Sequence, residues 1–439
     1  MSLFRSSSDS HHESDRPSAT PAEAGVHGSS VSFSEAFLNT SSARNTLPEQ
    51  YRTHFDELRS GILAFCHEFG ISTSTLSNKE AFGKQLTSKR IPADKIAEAA
   101  FLFERLEHLL TNKEPFKETL PEHLREVERL YHLSEQYTFQ VNLLKEAGIL
   151  NERNAILGID GKEYPIPTLE QIASRLLERK SELSVKRDQG FIKLLLVPFG
   201  MSLDALQEIL KQFLLDYEQT HPDFYLNTRD PLFTQEDAYK GADTEDPPKM
   251  VYHPKSFDPH NHQGQTKIEI LEKQAVTPNS FPGWTIHLFQ PSNIQDLKQN
   301  TPKGIALVPR KGKGQTQGEK TPRPSLEACQ SSIDYLSLLQ KAQDNPSSPY
   351  FQEFGMTPED WILAFMIHLE ETGKPLDNLD DPTKTQSITY LTGAFFPSIA
   401  GSAFVPLAHW CRDARQAMLG RQDPRIRVLR LGARSSVIV

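Results

Sequence analysis

The chain has 439 residues, of which 37% are hydrophobic and 9% aromatic, and its formal net charge is -9 at pH 7. This length exceeds what a single hydrophobic core usually serves, so we expect two or three domains. The acidic balance argues against a protein that binds nucleic acid over its whole surface, and it leaves a local basic patch open.

The cysteine content and the hydropathy pattern bear on the compartment. Cys66, Cys329 and Cys411 are odd in number and far apart, which excludes a disulfide framework and fits a reducing compartment. No apolar run is long enough to cross a bilayer. The N-terminal segment is polar and lacks the apolar core of a secretory signal. We therefore expect a cytoplasmic protein without a membrane span, with export by another route as the alternative.

The first 150 residues predict a tail followed by a helical bundle. Residues 1–45 are rich in Ser, Pro, Gly and charged residues and have little to bury, so we expect a disordered tail. Over residues 46–150, apolar side chains recur at three- and four-residue steps in three segments, which begin near Tyr51, Pro92 and Pro121. Three antiparallel helices with short connections would form a bundle, which is typical of structural or partner-binding modules.

Residues 151–280 predict a mixed α/β and irregular segment. Helical periodicity covers residues 168–183, and Phe191–Val197 has the continuous apolar character of a buried strand. Ser202 is placed to cap a following helix. Residues 221–282 are rich in Pro, Asp and His and lack periodicity, so we expect irregular or linking structure there.

Residues 281–439 predict a separate C-terminal domain. Apolar and polar residues alternate over Trp284–Phe289, which predicts a strand. Two helices follow, and the second has Thr357 as its cap, Pro358 in its first turn and Asp360 three residues on. Only short β-like segments come after these helices. The chain as a whole is therefore predicted to have an α+β fold.

One loop gathers candidate metal ligands. His260 and His262 are two residues apart and would face the same way on an extended strand, and His253 or Asp258 would complete a set. The loop is rich in Pro and Asn, and spacing in a single sequence indicates a metal only weakly. A solvated loop is therefore the favoured interpretation.

No catalytic motif is present, so we expect a non-enzymatic protein without a cofactor. The glycine-rich loop Gly312–Gly318 is basic, but its spacing fits neither the P-loop nor the dinucleotide fingerprint, and a flexible loop is favoured over a phosphate site. His409 and Cys411 would point the same way on a strand and could activate a thiolate. Nothing nearby in the sequence is placed to orient that histidine.

The C-terminal segment is rich in arginine. A local cationic surface that includes Trp410 could contact phosphate backbones, so a nucleic-acid-associated protein is the alternative function. The favoured interpretation is that some arginines bridge buried carbonyls while others are solvated, because the rest of the chain is acidic. The arginines are Arg412, Arg415, Arg421, Arg425, Arg427, Arg430 and Arg434.

A series of short motifs runs through the C-terminal part. They are Gly283–Phe289, Leu307–Arg310, Thr357–Trp361, His368–Gly373, Leu391–Pro397, Val405–Pro406, Trp410, Arg412–Asp413, Arg415–Ala417, Asp423–Pro424 and Gly432–Arg434. Together they resemble a bacterial variant of the C-type lectin-like fold, close to the formylglycine-generating-enzyme type. In that fold the first and last strands pair, which would set Trp284–Phe289 beside Ser435–Val439.

More specifically, the chain resembles the variable target proteins of diversity-generating retroelements. In that family the last few dozen residues form the ligand-binding face, and reverse transcription alters selected codons. In this chain, residue types that such codon changes can produce are scattered among framework residues. Met418 and Gln422 are residue types that these codon changes cannot produce. The resemblance implies a surface that binds a protein or another macromolecule. The implied ligand-binding residues are His409, Cys411, Asp413, Ala414, Ile426, Val428, Leu429 and Leu431.

The chain also departs from the families it resembles. The catalytic cysteines and metal ligands of formylglycine-generating enzymes have no counterparts, so the resemblance implies no oxidase activity. The calcium-binding tripeptides of animal lectins are missing too. Asp377, Asn378, Asp380 and Asp381 form an acidic loop that could hold Ca²⁺, with a solvated turn as the favoured interpretation.

Overall fold

The protein is described from a computed structural model. The residues that it describes are 40–77, 93–113, 120–294, 301–378 and 387–439, with positions 82, 85, 89 and 91 besides. The predicted disordered tail lies outside them, apart from residues 40–45. Helices and sheets are both present, in agreement with the predicted α+β class. The chain divides into two compact units, Met1–Thr119 and Leu120–Val439.

The first unit has a helical core. Its described helices are Thr40–Asn45 (α1), Arg52–Glu68 (α2) and Ala93–Asn112 (α3). Apolar side chains of α2 and α3 form one cluster, in which Phe55, Ile62 and Leu106 are fully buried. The three- and four-residue spacing that predicted these helices therefore produces their buried faces. Gly70 follows α2 with a φ of 60°, a backbone conformation that glycine adopts without strain.

The third predicted helical segment belongs to the second unit. It forms Arg125–Tyr131 (α4) and Leu133–Glu146 (α5), separated by His132 in the left-handed conformation. The division of the chain after Thr119 thus differs from the predicted bundle of residues 46–150. Helical periodicity identifies an apolar face, but it does not identify which element that face packs against.

The second unit contains all the sheets that the described residues form. Its further helices are Leu169–Glu178 (α6), Lys180–Asp188 (α7), Leu203–Thr220 (α8), Glu236–Tyr239 (α9), Lys267–Val276 (α10), Ser332–Gln343 (α11) and Pro358–Thr372 (α12). Its strands up to the last long helix are Ala155–Leu157 (β1), Glu163–Pro165 (β2), Lys193–Val197 (β3), Leu232–Thr234 (β4), Val251–Tyr252 (β5), Thr285–Phe289 (β6), Thr316–Gln317 (β7), Arg323–Pro324 (β8) and Glu353–Gly355 (β9). The later strands are Ile388–Tyr390 (β10), Ala394–Ile399 (β11), Ser402–Cys411 (β12), Gln416–Gln422 (β13), Leu431–Ala433 (β14) and Ser435–Ile438 (β15).

One sheet contains the last strand of the chain. Its order is β3-β6-β15-β9. β15 pairs with β6 in the antiparallel sense, and Val437 lies opposite Leu288. The expected pairing of Ser435–Val439 with Trp284–Phe289 is thereby confirmed. β3 pairs antiparallel with β6 on the other side and forms the edge of the sheet.

Two glutamines of α5 cover this sheet edge. Gln136 donates to the carbonyl of Ile192 at 3.0 Å and accepts from the amide of Leu194 at 2.9 Å. Gln140 donates to the carbonyl of Leu194 at 2.8 Å and accepts from the amide of Leu196 at 2.9 Å. Because these side chains satisfy backbone groups that an edge strand leaves unpaired, α5 is joined to the second unit by hydrogen bonds as well as by packing.

A second sheet contains the C-terminal strands. Its order is β14-β10-β12-β11-β5, while β13 pairs with β12 and β4 pairs with β13. β4 and β5 come from residues 221–282, which were expected to be irregular. The predicted boundary at residue 280 is therefore not a division between units, because strands from both sides of it share a sheet. Strands of two or three residues are too short for an alternating pattern to reveal.

Helix α12 lies in the core of the second unit. Thr357 and Asp360 form the predicted N-terminal cap, with reciprocal side-chain and backbone hydrogen bonds. Every side chain from Pro358 to Leu369 is buried, so this part of the helix has no solvent-facing side. The Phe365 ring lies 6.1 Å from the Trp410 ring of β12, which places α12 against the inner side of the second sheet.

Candidate functional site

The two sides of β12 have opposite environments. Ala408 and Trp410 belong to the main core beside α12. His409 and Cys411 are only half-buried. Because successive side chains of a strand point to opposite sides of the sheet, His409 and Cys411 project away from α12.

A row of partly exposed side chains crosses four strands on this side of the sheet. Met418 of β13 lies opposite His409, and Phe233 of β4 lies beside Met418. The register of β10 with β12 places Ile388 on the other flank of His409. Phe233 is 38% exposed, and the other three side chains are half-buried. We define the outer face as Phe233, Ile388, His409, Cys411 and Met418.

The turn between β12 and β13 extends the outer face to the end of the sheet. Asp413 and Ala414 are exposed in this turn. The guanidinium of Arg415 lies 5.8 Å from the centre of the Tyr225 ring, and Tyr225 is 71% exposed. An exposed aromatic ring beside an arginine combines two residue types that dominate binding energy at interfaces.

Residues 423–430, which we call the crossing segment, pass over the same side of the sheet. The hydroxyl of Tyr390 in β10 donates to the carbonyl of Ile426 at 3.0 Å. Val428 packs on the apolar cluster beneath, whereas Ile426 and Leu429 are 43% and 70% exposed. Two apolar side chains therefore project into solvent beside the outer face, and contiguous exposed apolar groups mark interaction surfaces.

The residues implied to bind ligand fall into two groups. Leu431 is only 3% exposed and packs with Leu326 and Tyr335, so it is not available to a ligand. Its carbonyl accepts a hydrogen bond from the amide of Cys329, which fixes the first residue of β14. The assignment of Leu431 to the site is therefore corrected. The half-buried or exposed members are His409, Cys411, Asp413, Ala414, Ile426, Val428 and Leu429.

Four residues at this surface were not assigned to the site from the sequence. Phe233 and Tyr225 come from the segment expected to be irregular, and Ile388 sits in a strand of three residues. No periodicity can be detected in such short stretches. Met418, which was not expected among the variable residues, also contributes a half-buried side chain to the surface.

The candidate metal loop does not bring its ligands together. Asp258 Oδ1 accepts the backbone amide of His260 at 2.8 Å, and His262 Nδ1 accepts that of Gly264 at 2.9 Å. Both groups therefore stabilise the loop itself. Burial lowers the pKa of His253. Within the described ranges, no three His, Cys, Asp or Glu side chains are grouped so that they could hold a metal ion.

The glycine-rich loop holds a carboxylate of the protein itself. Glu327 accepts the amide of Gly312 at 2.8 Å and the amide of Gly314 at 2.7 Å. These backbone hydrogen bonds lower the pKa of Glu327. Two of the amides that would cradle a phosphate, those of Gly312 and Gly314, are therefore occupied, which argues against a phosphate site in residues 312–318.

Much of the C-terminal arginine charge is compensated. Asp377, expected in a solvated acidic loop, is buried against Arg434, while Asp380 and Asp381 lie outside the described residues. This pairing lowers the positive charge that the C-terminal segment could offer to nucleic acid. The ion pairs are Arg421–Asp237, Arg425–Asp423, Arg427–Asp334 and Arg434–Asp377.

Comparison with known proteins identifies no relative of this chain. No family model, curated protein or solved structure matches the chain. Of the helices that the structure describes, none combines the length and apolar character needed to span a membrane. The function is therefore inferred from the geometry of the outer face and from the motifs in the sequence.

Proposed function

We propose that this protein is a non-enzymatic binding protein that recognises a protein or another macromolecule through its outer face and crossing segment. The observation that carries the proposal is the row from Ile388 through His409 and Met418 to Phe233. A continuous surface with apolar and aromatic side chains and a polar rim is typical of recognition sites.

We further propose that the second unit contains a C-type lectin-like domain whose outer side is diversified, as in the retroelement target proteins that the sequence resembles. The pairing of β15 with β6 supports this proposal, because that fold requires its first and last strands to pair. The exposure of Asp413, Ala414 and Leu429 supports it as well.

The frame beneath the outer face is suited to variable side chains. The inner side of the sheet contributes Ala408, Trp410, Ala417 and Leu419 to the main core, and each is at most 4% exposed. Substitutions at exposed positions usually change the free energy of unfolding by about 0.5 kcal/mol or less. Recognition could therefore change at the outer face while the fold stays constant.

Sequencing of the gene's neighbourhood tests the diversification directly. We expect a near-identical copy of the 3′ coding segment close by, together with a reverse-transcriptase gene. Differences between the two copies should fall on adenines and on codons for exposed residues such as Asp413 and Leu429. Differences concentrated on codons for Trp410, Ala417 or Leu431 would contradict the proposal, because those side chains are buried.

A display experiment tests tolerance without knowledge of the ligand. One library randomises the outward positions His409, Cys411, Asp413 and Leu429. We expect most members to stay folded, as judged by protease resistance. The control library, at inward positions of β12 and β13, should be mostly unfolded. Equal survival of both libraries would refute a rigid frame with one variable side. The control positions are Ala408, Trp410, Ala417 and Leu419.

A DNA-binding experiment distinguishes the alternative function, nucleic-acid association, from the proposed one. DNA retention that falls steeply with salt, and that is weakened by Arg430→Ala and unaffected by Leu429→Asp, would favour nucleic-acid association over the proposal. We expect the purified protein to show no such retention at physiological salt.

A further inference from the structure

A cavity of about 260 Å³ lies in the second unit, away from the outer face. The residues of the outer face and the crossing segment do not line it. Its wall is formed by the segment that follows β6 (residues 290–294), by residues 306–309, by residues in and around the β7–β8 hairpin and by the junction of β14 and β15. Apolar side chains cover one part of the wall, and polar and cationic groups cover the other. The wall includes Leu307, Val308, Leu326, Lys313 and Arg323.

Arg323 on this wall belongs to a buried cluster with unequal charges. Its guanidinium forms two hydrogen bonds with the carboxylate of Glu353, at 2.8 and 2.7 Å. Lys186 contacts the same carboxylate at 2.7 Å. The three side chains are at most 4% exposed, and the described residues supply no second carboxylate within ion-pair distance. Two cations therefore share one anion, and the cluster has a net charge of +1.

An uncompensated buried charge is costly, because the protein interior screens and solvates it poorly. Burial lowers the pKa of Lys186, against the opposing effect of Glu353. A negative charge placed in the adjoining cavity would balance the cluster. The cavity therefore adjoins a positively charged cluster that a bound anion would stabilise.

The guanidinium of Arg323 is also held in a fixed orientation. It lies 5.1 Å from the centre of the Phe191 ring and 5.1 Å from the centre of the Tyr350 ring. Its Nε and Nη2 atoms donate to Glu353, and Nη2 also donates to Ser435 at 2.9 Å. Among the described residues, none accepts a hydrogen bond from Nη1. One end of this fixed donor therefore has no acceptor among the described residues, and Arg323 itself lines the cavity.

The rest of the wall also suits an anion with an apolar body. Lys313 is exposed and adds a cation, whereas the charge of Arg434 on the same wall is balanced by Asp377. No described carboxylate side chain forms part of the wall. Glu327, whose carboxylate contacts this loop, is bound to the amides of Gly312 and Gly314. Leu307, Val308 and Leu326 offer apolar contacts.

We propose that this cavity binds a small organic anion, with a carboxylate or phosphate group beside Arg323 and an apolar body against Leu307, Val308 and Leu326. The volume lies just below the range of pockets that take drug-sized molecules, so the ligand is the size of a single substituted ring or a short chain. This site is independent of the proposed macromolecule-binding surface.

Calorimetric titration of the full-length protein at pH 7 and low salt tests the proposal. The probes are benzoate and inorganic phosphate, with benzamide as the neutral match of benzoate. We expect an anion to bind with one-to-one stoichiometry and to raise the melting temperature, and benzamide to bind at least about tenfold more weakly than benzoate. Binding of benzoate identifies a carboxylate site with an apolar body, and binding of phosphate alone identifies a phosphate site.

Two lysines of the same loop provide a matched pair of variants. Lys311 and Lys313 are both exposed, but only Lys313 lines the cavity. We expect Lys313→Glu to weaken anion binding at least about tenfold and Lys311→Glu to change it less than about twofold. Equal effects of the two variants would overturn the proposal, as would equal binding of benzoate and benzamide or no binding of either anion.

A buried variant tests the charge argument. Lys186→Met removes one cation without altering the cavity wall, so the cluster becomes neutral and anion binding should fall several-fold. Unchanged affinity in folded Lys186→Met would overturn the argument. Should this variant fail to fold, the comparison of Lys313 with Lys311 still decides. Leu429→Asp, on the crossing segment, should leave anion binding unchanged, which separates this proposal from the one about the outer face.

Discussion

Arg434 donates a hydrogen bond of 2.7 Å from Nη2 to Oδ1 of Asp377, and both side chains are buried. Asp377 also accepts from the indole nitrogen of Trp361 and from the hydroxyl of Thr389. Arg434 is the single residue between β14 and β15, which belong to different sheets. This ion pair therefore links both sheets to helix α12 through Trp361.

Removal of one partner of this pair should destabilise the second unit strongly. In Arg434→Met, the Asp377 carboxylate would stay buried without its cation, and we expect a loss of about 3–5 kcal/mol in the free energy of unfolding. Urea denaturation followed by tryptophan fluorescence measures this loss, since Trp284, Trp361 and Trp410 all lie in the second unit. The control is Arg425→Met, which breaks an exposed pair and should leave the midpoint unchanged.

Two leucines separated by one residue should respond differently to truncation. Leu431 is 3% exposed and Leu429 is 70% exposed. We expect Leu431→Ala to lower the free energy of unfolding by about 2–5 kcal/mol, because it leaves a cavity in a packed cluster. Leu429→Ala should change it by less than about 0.5 kcal/mol. Similar losses in the two variants would mean that the crossing segment is packed rather than displayed.

The glutamines that cover the edge of β3 give a third prediction. Gln140→Leu would leave the carbonyl of Leu194 and the amide of Leu196 buried without partners. We expect a loss of about 3 kcal/mol, since each such group costs about 1–3 kcal/mol. Gln212→Leu on the exposed side of α8 is the control and should be close to neutral. A neutral result for Gln140→Leu would show that another group or water replaces the amide.

The stability of the second unit should fall as the pH falls below 6.5, in part because of His368. Burial, with a contribution from Arg434, lowers the pKa of His368 to about 4, and its Nδ1 accepts the amide of Ile305 at 2.9 Å. The unfolded chain takes up a proton near its normal pKa of about 6.5, whereas the folded state does not, so protonation favours unfolding between these values. Between pH 7 and pH 5, protonation of His368 in the unfolded chain should lower the free energy of unfolding by on the order of 2 kcal/mol.

His368→Asn provides the comparison, because its side-chain oxygen can accept the same amide and does not titrate. The pH dependence between 7 and 5 should be smaller in this variant by the contribution of His368. His253, whose pKa burial also lowers, is present in both proteins and cancels. An unchanged pH dependence would mean that His368 is protonated in the folded protein.

The sequence predicts local structure correctly where an apolar pattern spans several helical turns, or where neighbouring residues form a recognisable helix cap. The helices α2 and α3 and the Thr357–Asp360 cap follow from local physics and are present. The pairing of β15 with β6 was expected from the resemblance rather than from periodicity, and it is also present.

The remaining features depend on contacts between distant residues. The partner of α5 is an edge strand about 55 residues away, and nothing local in the helix identifies that strand. Strand β4 has three residues and becomes a strand only because β13 is there to pair with it. Leu429 and Leu431 have the same side chain, and only the start of β14 decides that one is exposed and the other buried. The outer face could therefore be placed approximately in the sequence, but its members could not be selected.

The order of segments along the chain has a genetic consequence. The strands that clamp the two sheets, β14 and β15, are translated after the codons of the outer face and the crossing segment. A stop codon or a shifted reading frame among those codons would remove Arg434 and the partner of β6 together. Under the proposed diversification, only messages that keep their reading frame through these codons would yield a complete second unit, whereas single-base substitutions would be retained.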